Sequence, residues 1–186
     1  MICLGIESTA HTLGVGIVDC GRVLSNAKSM YKPPAGEGII PRNAADHHAE
    51  FFLPVLQQAL SSAKVSLQEI SLFAFSQGPG IGQCLRVSCA GAKYLSAKTI
   101  KPLLGINHCH AHLEISRGLL GMEDPLYVYV SGANTQLITE NRLQGKGARF
   151  TVLGETLDMG LGNLFDVFAR EAKFLYPNGS EVARLA

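Results

Sequence analysis

The sequence predicts an α/β protein built on a mixed sheet, with one structural plan used twice. Three observations predict it. Short apolar runs separated by polar turns open the chain, longer segments with helical apolar spacing follow, and the opening pattern begins again near residue 126. Composition agrees: of 186 residues, 47% are hydrophobic and 17% charged, enough apolar material for a buried core and too much for a disordered chain.

The first run, ICLGIE (2–7), is apolar and ends in an acid. A polar turn, Ser8 to His11, leads into TLGVGIV (12–18), and Asp19-Cys20-Gly21-Arg22 is a second turn before VLSNAK (23–28). Together they predict a three-strand meander. A Pro/Gly-rich loop, Lys32 to Pro41, precedes a helix over 44–63, in which Phe51, Phe52, Val55, Leu56, Ala59 and Leu60 recur at helical spacing. Pro54 lies inside that helix and predicts a kink in its first turns. SLFAFSQ (71–77) reads as a strand, Gly78 to Gly82 as a loop, and the next stretch as a helix to about Lys98. PLLGI (102–106) is a short strand, followed by a helix from about Asn107 to Gly118.

The plan then restarts. LYVYVSG (126–132), a turn at Ala133-Asn134, TQLITE (135–140), a Gly-containing connection (141–147) and ARFTVLGE (148–155) repeat the meander. A helix from about Asp158 to Lys173 follows, and Ser180 reads as the N-cap of a last helix. We therefore expect a first lobe over 1–123 and the start of a second over 124–186, with the second lobe incomplete.

Sixteen basic and fifteen acidic residues leave a net charge of +1, which excludes a strongly basic nucleic-acid binder working alone through phosphate neutralisation. The five cysteines, Cys3, Cys20, Cys84, Cys89 and Cys109, are odd in number and include no C-x-x-C pair. They suit a reducing compartment. No signal peptide is visible, and the longest uncharged stretch, Ile70 to Leu85, is too broken by Ser, Gln, Gly and Pro to cross a bilayer. A cytoplasmic protein without a membrane partner is the expectation.

Asn107-His108-Cys109-His110-Ala111-His112 carries the strongest chemical signal. Helical residues four apart lie about 40° apart around the axis and residues two apart about 200°, so His108 and His112 can share one metal ion and His110 cannot join them. The same spacing also fits ordinary polar histidines at a helix start. A zincin protease needs Glu after the first His as general base, and Cys109 stands there, which argues against a metallopeptidase.

The turns Glu7–Thr12 and Ser131–Thr135 occupy equivalent places in the two meanders, and the small residues of the second would let backbone N–H groups approach a phosphate. Ordinary hairpin turns would look alike. Gly78-Pro79-Gly80-Ile81-Gly82 is neither a Walker A loop nor a G-x-G-x-x-G loop, and it serves either an anion or a tight helix entry. Asp158 and Asp166, eight apart on the helix expected there, would share a face, from which one could bond ribose hydroxyls. His47-His48, being adjacent, point different ways.

Taken together, GIESTAHTLGVGIV (5–18), ADHHAE (45–50), FSQGPGIG (75–82), LRVS (85–88), INHCHAHLEI (106–115), YVSGANTQ (129–136) and GETLDMGLGNLFDVFAR (154–170) resemble the tRNA N6-adenosine threonylcarbamoyltransferases. The likeness is to the archaeal and eukaryotic branch, the catalytic subunit of the KEOPS complex, related to bacterial TsaD. It implies an actin-like ATPase fold of the sugar-kinase, heat-shock and actin type, with duplicated RNase H-like lobes. It also implies transfer of threonylcarbamoyl from threonylcarbamoyl-AMP to N6 of the adenosine beside the anticodon in tRNAs reading ANN codons.

By resemblance, His108, His112 and Tyr129 are metal ligands for one ion per subunit, iron with zinc as the alternative. Tyr129, Val130, Ser131, Gly132, Ala133 and Asn134 line the adenylate, and Asp166 and Gly179 hold the nucleoside. Expected partners are tRNA, ATP- or AMP-like nucleotides, a small kinase-like subunit and a small dimerising subunit. No side chain is expected to act as a nucleophile. Ala133 replaces the second glycine of the family's S-G-G-N-T, Tyr176-Pro177-Asn178-Gly179-Ser180 stands for Y-P-G-G-P, Ala183 replaces a carboxylate, and His110 is an added histidine. Family members run well beyond residue 186, and that part supplies a metal-binding Asp and an adenosine-contacting Asn. A non-catalytic nucleotide-binding or scaffold relative is the alternative that Ala133 and Ala183 raise.

Overall fold

Five strands of the first part form one sheet, in the order β3 (Arg22–Met30), β2 (Thr12–Asp19), β1 (Ile2–Glu7), β4 (Leu72–Gly78) and β5 (Leu103–Asn107), and three strands of the second form another, in the order β6 (Leu126–Val130), β7 (Thr135–Arg142) and β8 (Ala148–Glu155). The computed structural model describes residues 1–34, 38–142, 148–174 and 178–186. The chain divides into two compact units, Met1–His112 and Leu113–Ala186. No helix among the described residues is long and apolar enough to cross a membrane.

In the first unit, β1 (Ile2–Glu7), β2 (Thr12–Asp19) and β3 (Arg22–Met30) form the expected antiparallel meander. Cys20 and Gly21 both have positive φ, 45° and 85°, in the two-residue turn between β2 and β3. A two-residue turn with positive φ at both positions matches strand twist, and Gly21 takes that conformation without a Cβ penalty. Leu13, Val15 and Ile17 alternate along β2 and are fully buried, joined by Leu4 and Ile6 of β1. This period of two puts one face of the sheet into the core.

α1 (Pro41–Ala63) packs on β2 and β3, while α2 (Gly82–Thr99) packs on β4 (Leu72–Gly78), and the two helices touch. Val55, Leu56 and Ala59 of α1 and Ala92 and Leu95 of α2 meet Phe73 in that core. At their contact, Gly91 lets the Phe52 ring lie against the backbone of α2.

α1 begins three residues before the periodicity suggested, because Pro41 starts it. Proline has no N–H to leave unsatisfied in a first turn, and its φ suits a helix. Pro54 sits inside the unbroken helix with its ring exposed, as is Glu50, whose carbonyl it deprives of a helical donor. Solvent can reach that carbonyl, so the proline is tolerated. A short 3-10 turn over Leu67–Glu69, which the sequence did not suggest, is closed by reciprocal bonds between Ser66 and Glu69.

β1, β4 and β5 (Leu103–Asn107) are parallel neighbours. Their carboxyl ends, which lie side by side, are Glu7, the Ser76–Gly78 segment and Asn107. Ligand sites of open α/β sheets form at such ends. α3 (His108–Leu120) follows β5 directly.

The second unit repeats the meander with β6 (Leu126–Val130), β7 (Thr135–Arg142) and β8 (Ala148–Glu155). As in the first unit, four residues join the first two strands. Tyr127 and Ile138 pack with Leu113, and Tyr127 Oη donates to Glu140 Oε2 at 2.6 Å. Burial and that carboxylate push the Tyr127 phenol up to about 12. Two expectations need correction here. α4 spans Leu161–Glu171, so Asp158 lies in a bend before it and does not share a helical face with Asp166. α5 (Asn178–Leu185) begins at Asn178, so Ser180 lies within it instead of capping it.

Candidate functional site

Asn107 ends β5, and its Oδ1 accepts the N–H groups of Cys109 at 2.9 Å and His110 at 3.2 Å. That is an N-cap, and it fixes His108 as the first residue of α3. One turn later comes His112. The two rings meet edge to face, with centroids 4.5 Å apart and planes at 87°, and their Nε2 atoms are 3.2 Å apart. Metal–nitrogen bonds of about 2.0–2.1 Å to both atoms would subtend roughly 100° at the ion, between octahedral and tetrahedral values. The pair therefore fits two ligands of one ion.

Burial pushes the His108 imidazole below its ordinary pKa, reinforced by His112 and opposed by the nearby Glu7 carboxylate. A neutral imidazole is the form that binds metal. His110 is exposed on another face of α3 and does not join the pair, as its spacing predicts. Among the described residues, no three His, Cys, Asp or Glu side chains converge on one metal position.

Glu7, which the sequence placed in the first of the two strand-end turns, stands beside His108, a place that sequence reasoning missed. Its Oε1 accepts the Thr9 N–H at 2.8 Å and the Thr9 hydroxyl, its Oε2 accepts the Ser76 hydroxyl at 3.2 Å, and Oε2 lies 3.8 Å from His108 Nδ1. The available signal was an apolar strand ending in an acid. Its meaning depended on the parallel pairing of β1 with β4 and of β4 with β5, which no local pattern reveals.

The Ser8–His11 turn is held from several sides. Ser8 Oγ donates to the Cys84 carbonyl at 2.8 Å, and the Thr9 carbonyl accepts the Ile81 N–H at 2.7 Å. His48, fully buried, places Nε2 2.9 Å from the Ala10 carbonyl. The Gly78–Gly82 loop thus serves as a tight helix entry packed on this turn.

In the second unit, Ser131 and Asn134 close their turn on each other. The Ser131 N–H donates to the Asn134 carbonyl at 2.9 Å, and the Asn134 N–H donates to Ser131 Oγ at 3.1 Å. The start of α4 is pressed against it: the Gly162 N–H donates to the Ser131 carbonyl at 3.1 Å, and the Leu161 N–H to Thr135 Oγ1 at 3.0 Å. A Cβ on Gly160 would stand 2.7 Å from both the Asn134 nitrogen and the Ser131 oxygen, and one on Gly162 2.9 Å from the Gly132 nitrogen. These two glycines were also missed.

Ala133 is not among the positive-φ residues, so replacing glycine there carries no left-handed penalty. Ser131 and Asn134 N–H are engaged inside the turn. Among the described residues, the N–H groups of Gly132 and Ala133 donate to no protein acceptor. Tyr129 is half-buried against the Tyr127 cluster, whereas Val130 is 48% exposed. Asp166 is exposed in the second turn of α4, and Gly179 lies in the first turn of α5. Tyr176 and Pro177 of the same motif lie outside the described residues.

The antiparallel meander, the parallel strands that extend its sheet and the repeated meander define an actin-like ATPase fold. Solved structures share it: YeaZ from Pseudomonas aeruginosa superposes with a TM-score of 0.56 at 17% identity, over 84% of this chain and 68% of that one. The ethanolamine utilization protein EutJ from Carboxydothermus hydrogenoformans does so at 0.55 and 13% identity, over 99% and 61%. Residues 22–186 match the profile of TsaD, tRNA N6-adenosine threonylcarbamoyltransferase, and the chain belongs to that family. The tRNA N6-adenosine threonylcarbamoyltransferase of Thermococcus sibiricus is 46% identical over all 186 residues, and that of Thermofilum pendens 48% identical over 184. The chain spans about half the length of these curated relatives, 55% and 53% respectively.

Proposed function

We propose that this chain forms part of an enzyme that transfers the threonylcarbamoyl group of threonylcarbamoyl-AMP to N6 of the adenosine beside the anticodon in tRNAs reading ANN codons. The observation that carries the reading is the His108–His112 pair, two Nε2 atoms 3.2 Å apart in a chain of this family. His108 and His112, with Tyr129, are the residues that would hold the metal, iron or alternatively zinc. When bound, the ion supplies a Lewis acid to the carbamoyl carbonyl and a template for its placement.

The transferred group is already activated as a mixed anhydride. Attack of N6 on the carbonyl carbon forms the new C–N bond, breaks the bond to the phosphate oxygen, releases AMP and frees one proton. No side-chain nucleophile is needed. The chain must bind, orient and meet charge. Gly132 and Ala133 offer uncommitted N–H donors to the phosphate, which gains charge as AMP leaves. Asp166, exposed on α4, offers a carboxylate to ribose hydroxyls, and Gly179 gives an adenosine ring close access to backbone.

tRNA affinity rests largely on KEOPS-type partners, a kinase-like and a small dimerising subunit, because a net charge of +1 gives this chain little phosphate attraction of its own. A cytoplasmic location accords with five free cysteines. The test is threonylcarbamoyladenosine formation by the full-length protein with its partners, tRNA and threonylcarbamoyl-AMP, read by nucleoside chromatography. Product is expected from wild type, with a loss of roughly a hundredfold or more in the His108→Ala/His112→Ala double variant. Full activity in that variant would remove the metal role, and absence of product with wild type would remove the transferase reading.

A further inference from the structure

We infer that Glu7 is a positioning residue for His108: its carboxylate, pinned by Thr9 and Ser76, keeps the imidazole proton on Nδ1 and so turns the Nε2 lone pair toward His112. The inference rests on the metal reading above and adds to it a residue that touches neither metal nor substrate.

The geometry supports it in three ways. First, the two nitrogens of the His108 ring have distinct surroundings. Nδ1 looks at Glu7 Oε2, 3.8 Å away, while Nε2 looks at His112 Nε2, 3.2 Å away. At 3.8 Å the contact is longer than a direct hydrogen bond and acts through charge. A carboxylate facing one nitrogen favours a proton there over a lone pair, and the partner of one ring nitrogen fixes the role of the other.

Second, Glu7 is tied at both oxygens although 39% of its side chain is exposed. Oε1 accepts both the N–H and the hydroxyl of Thr9, and Oε2 accepts the Ser76 hydroxyl, so both oxygens are placed before any metal arrives. The anchors come from the turn after β1 and from β4, and the ring comes from the start of α3 after β5. Three adjacent parallel strand ends therefore set the contact, and movement of one would be resisted by the sheet.

Third, the proton placement agrees with the histidine pair itself. Only one proton fits between two Nε2 atoms at 3.2 Å. With the His108 proton on Nδ1, its Nε2 is the acceptor of the pair, and so carries the free electron pair that a metal requires. A carboxylate–histidine–metal relay of this kind orients the ligand and raises its basicity, and losing the outer partner typically lowers metal affinity about 10–100-fold.

The experiment uses the full-length protein, wild type and the variants Glu7→Ala, Glu7→Gln and Ser76→Ala. Long-range ¹H–¹⁵N spectra of the metal-free protein read the His108 tautomer, and competition against a chromophoric chelator reads Zn²⁺ affinity. Wild type should show the Nδ1–H form. Glu7→Ala should shift His108 toward Nε2–H and weaken Zn²⁺ binding about 10–100-fold. Glu7→Gln removes the charge while keeping the side-chain size, so it should shift both in the same direction as Glu7→Ala, and Ser76→Ala should change each only slightly.

A merely structural Glu7 would lower the melting temperature without moving the tautomer, so an unchanged Nδ1–H signal in Glu7→Ala overturns the inference. So does a shifted tautomer with undiminished Zn²⁺ affinity. Should Glu7→Ala fail to fold, Glu7→Gln against wild type decides, through a tautomer shift with weaker Zn²⁺ binding or the lack of it. Wild type that shows the Nδ1–H form and takes up no Zn²⁺ overturns the metal reading instead, while the tautomer comparison still judges Glu7.

Discussion

Gly80 and Gly82 stand two residues apart in one loop, yet the structure assigns opposite outcomes to the same substitution. A Cβ on Gly80 would lie 2.7 Å from the Thr9 carbonyl oxygen, 2.8 Å from the Thr9 Cβ and 2.9 Å from its Cα. Thr9 cannot yield freely, because its N–H and hydroxyl are bound to Glu7 and the preceding Ser8 is bound to the Cys84 carbonyl. Overpacking of this kind costs about 1–3 kcal/mol. Weakening the Ile81–Thr9 hydrogen bond adds about 0.5–1.5 kcal/mol. Gly80→Ala should therefore lose roughly 2–4 kcal/mol, a fall in melting temperature of roughly 5–15 °C for a chain of this size. Gly82 starts α2, and a methyl group there would meet nothing within 4 Å. Gly82→Ala should be neutral or stabilising by up to about 1 kcal/mol, since alanine is the better helix former. Urea and thermal unfolding of both variants beside wild type measure the contrast. Equal stability of the two variants, or a neutral Gly80→Ala, would refute the packing of this loop on the Ser8–His11 turn.

Two further outcomes follow from other positions. His48 Nε2 faces the Ala10 carbonyl, His48 Nδ1 faces His47 Nδ1 at 3.2 Å, and His47 Nε2 faces the Ser29 hydroxyl at 3.1 Å. Each link then holds one proton: His48 donates from Nε2, His47 donates from Nδ1 to His48, and Ser29 donates to His47. Burial lowers both imidazole pKa values in the folded protein. The unfolded chain therefore takes up protons first as pH falls through about 6.5, and stability present above that range is progressively lost toward the lower folded values. Urea midpoints should drop between about pH 7.5 and about pH 5.5. His47→Gln, which can still donate to His48 but does not titrate, should flatten the slope; an equal slope in that variant rejects the chain of bonds as its cause. Ile100 caps α2 at φ 55° with 92% of its surface exposed. A left-handed β-branched residue is strained by about 1–2 kcal/mol while burying almost nothing, so Ile100→Gly should raise the urea midpoint by the equivalent of roughly 1 kcal/mol. A lower midpoint would contradict it.

Local patterns made much of the architecture readable. The apolar run 12–18 between two polar turns announced a strand, and its Leu13, Val15 and Ile17 side chains are fully buried. The i, i+4 spacing of His108 and His112 announced a shared helix face, and the rings meet there. What escaped reading was long-range or steric. Glu7 gains its neighbours only when β1, β4 and β5 lie parallel, 69 residues separating it from Ser76. Helix periodicity placed Asp158 on α4, but the requirement that Gly160 and Gly162 fit against the Ser131–Asn134 backbone delays the helix to Leu161. Pro41 looked like loop composition, although a first helical turn accepts proline well.

The two strand-end turns illustrate how one local plan can be put to different chemical use. Each is four residues long, and each offers a carbonyl that accepts an N–H from a Gly-x-Gly helix entry: Thr9 from Ile81 at 2.7 Å, and Ser131 from Gly162 at 3.1 Å. The helices differ in order, α2 following the fourth strand of its unit and α4 the third of its own. Close backbone approach, not inheritance of one position, thus explains the glycines in both. The donors then diverge. In the first turn, the Thr9 N–H is spent on Glu7, which faces His108. In the second, Ser131 and Asn134 satisfy each other while, among the described residues, the N–H groups of Gly132 and Ala133 donate to no protein acceptor. A turn whose donors hold a carboxylate favours the neighbourhood of a cation, and one with open donors favours an anion. Under the proposed transfer, the first turn would serve the histidine pair through Glu7 and the second the phosphate, a division that rests on which of those N–H groups are already engaged.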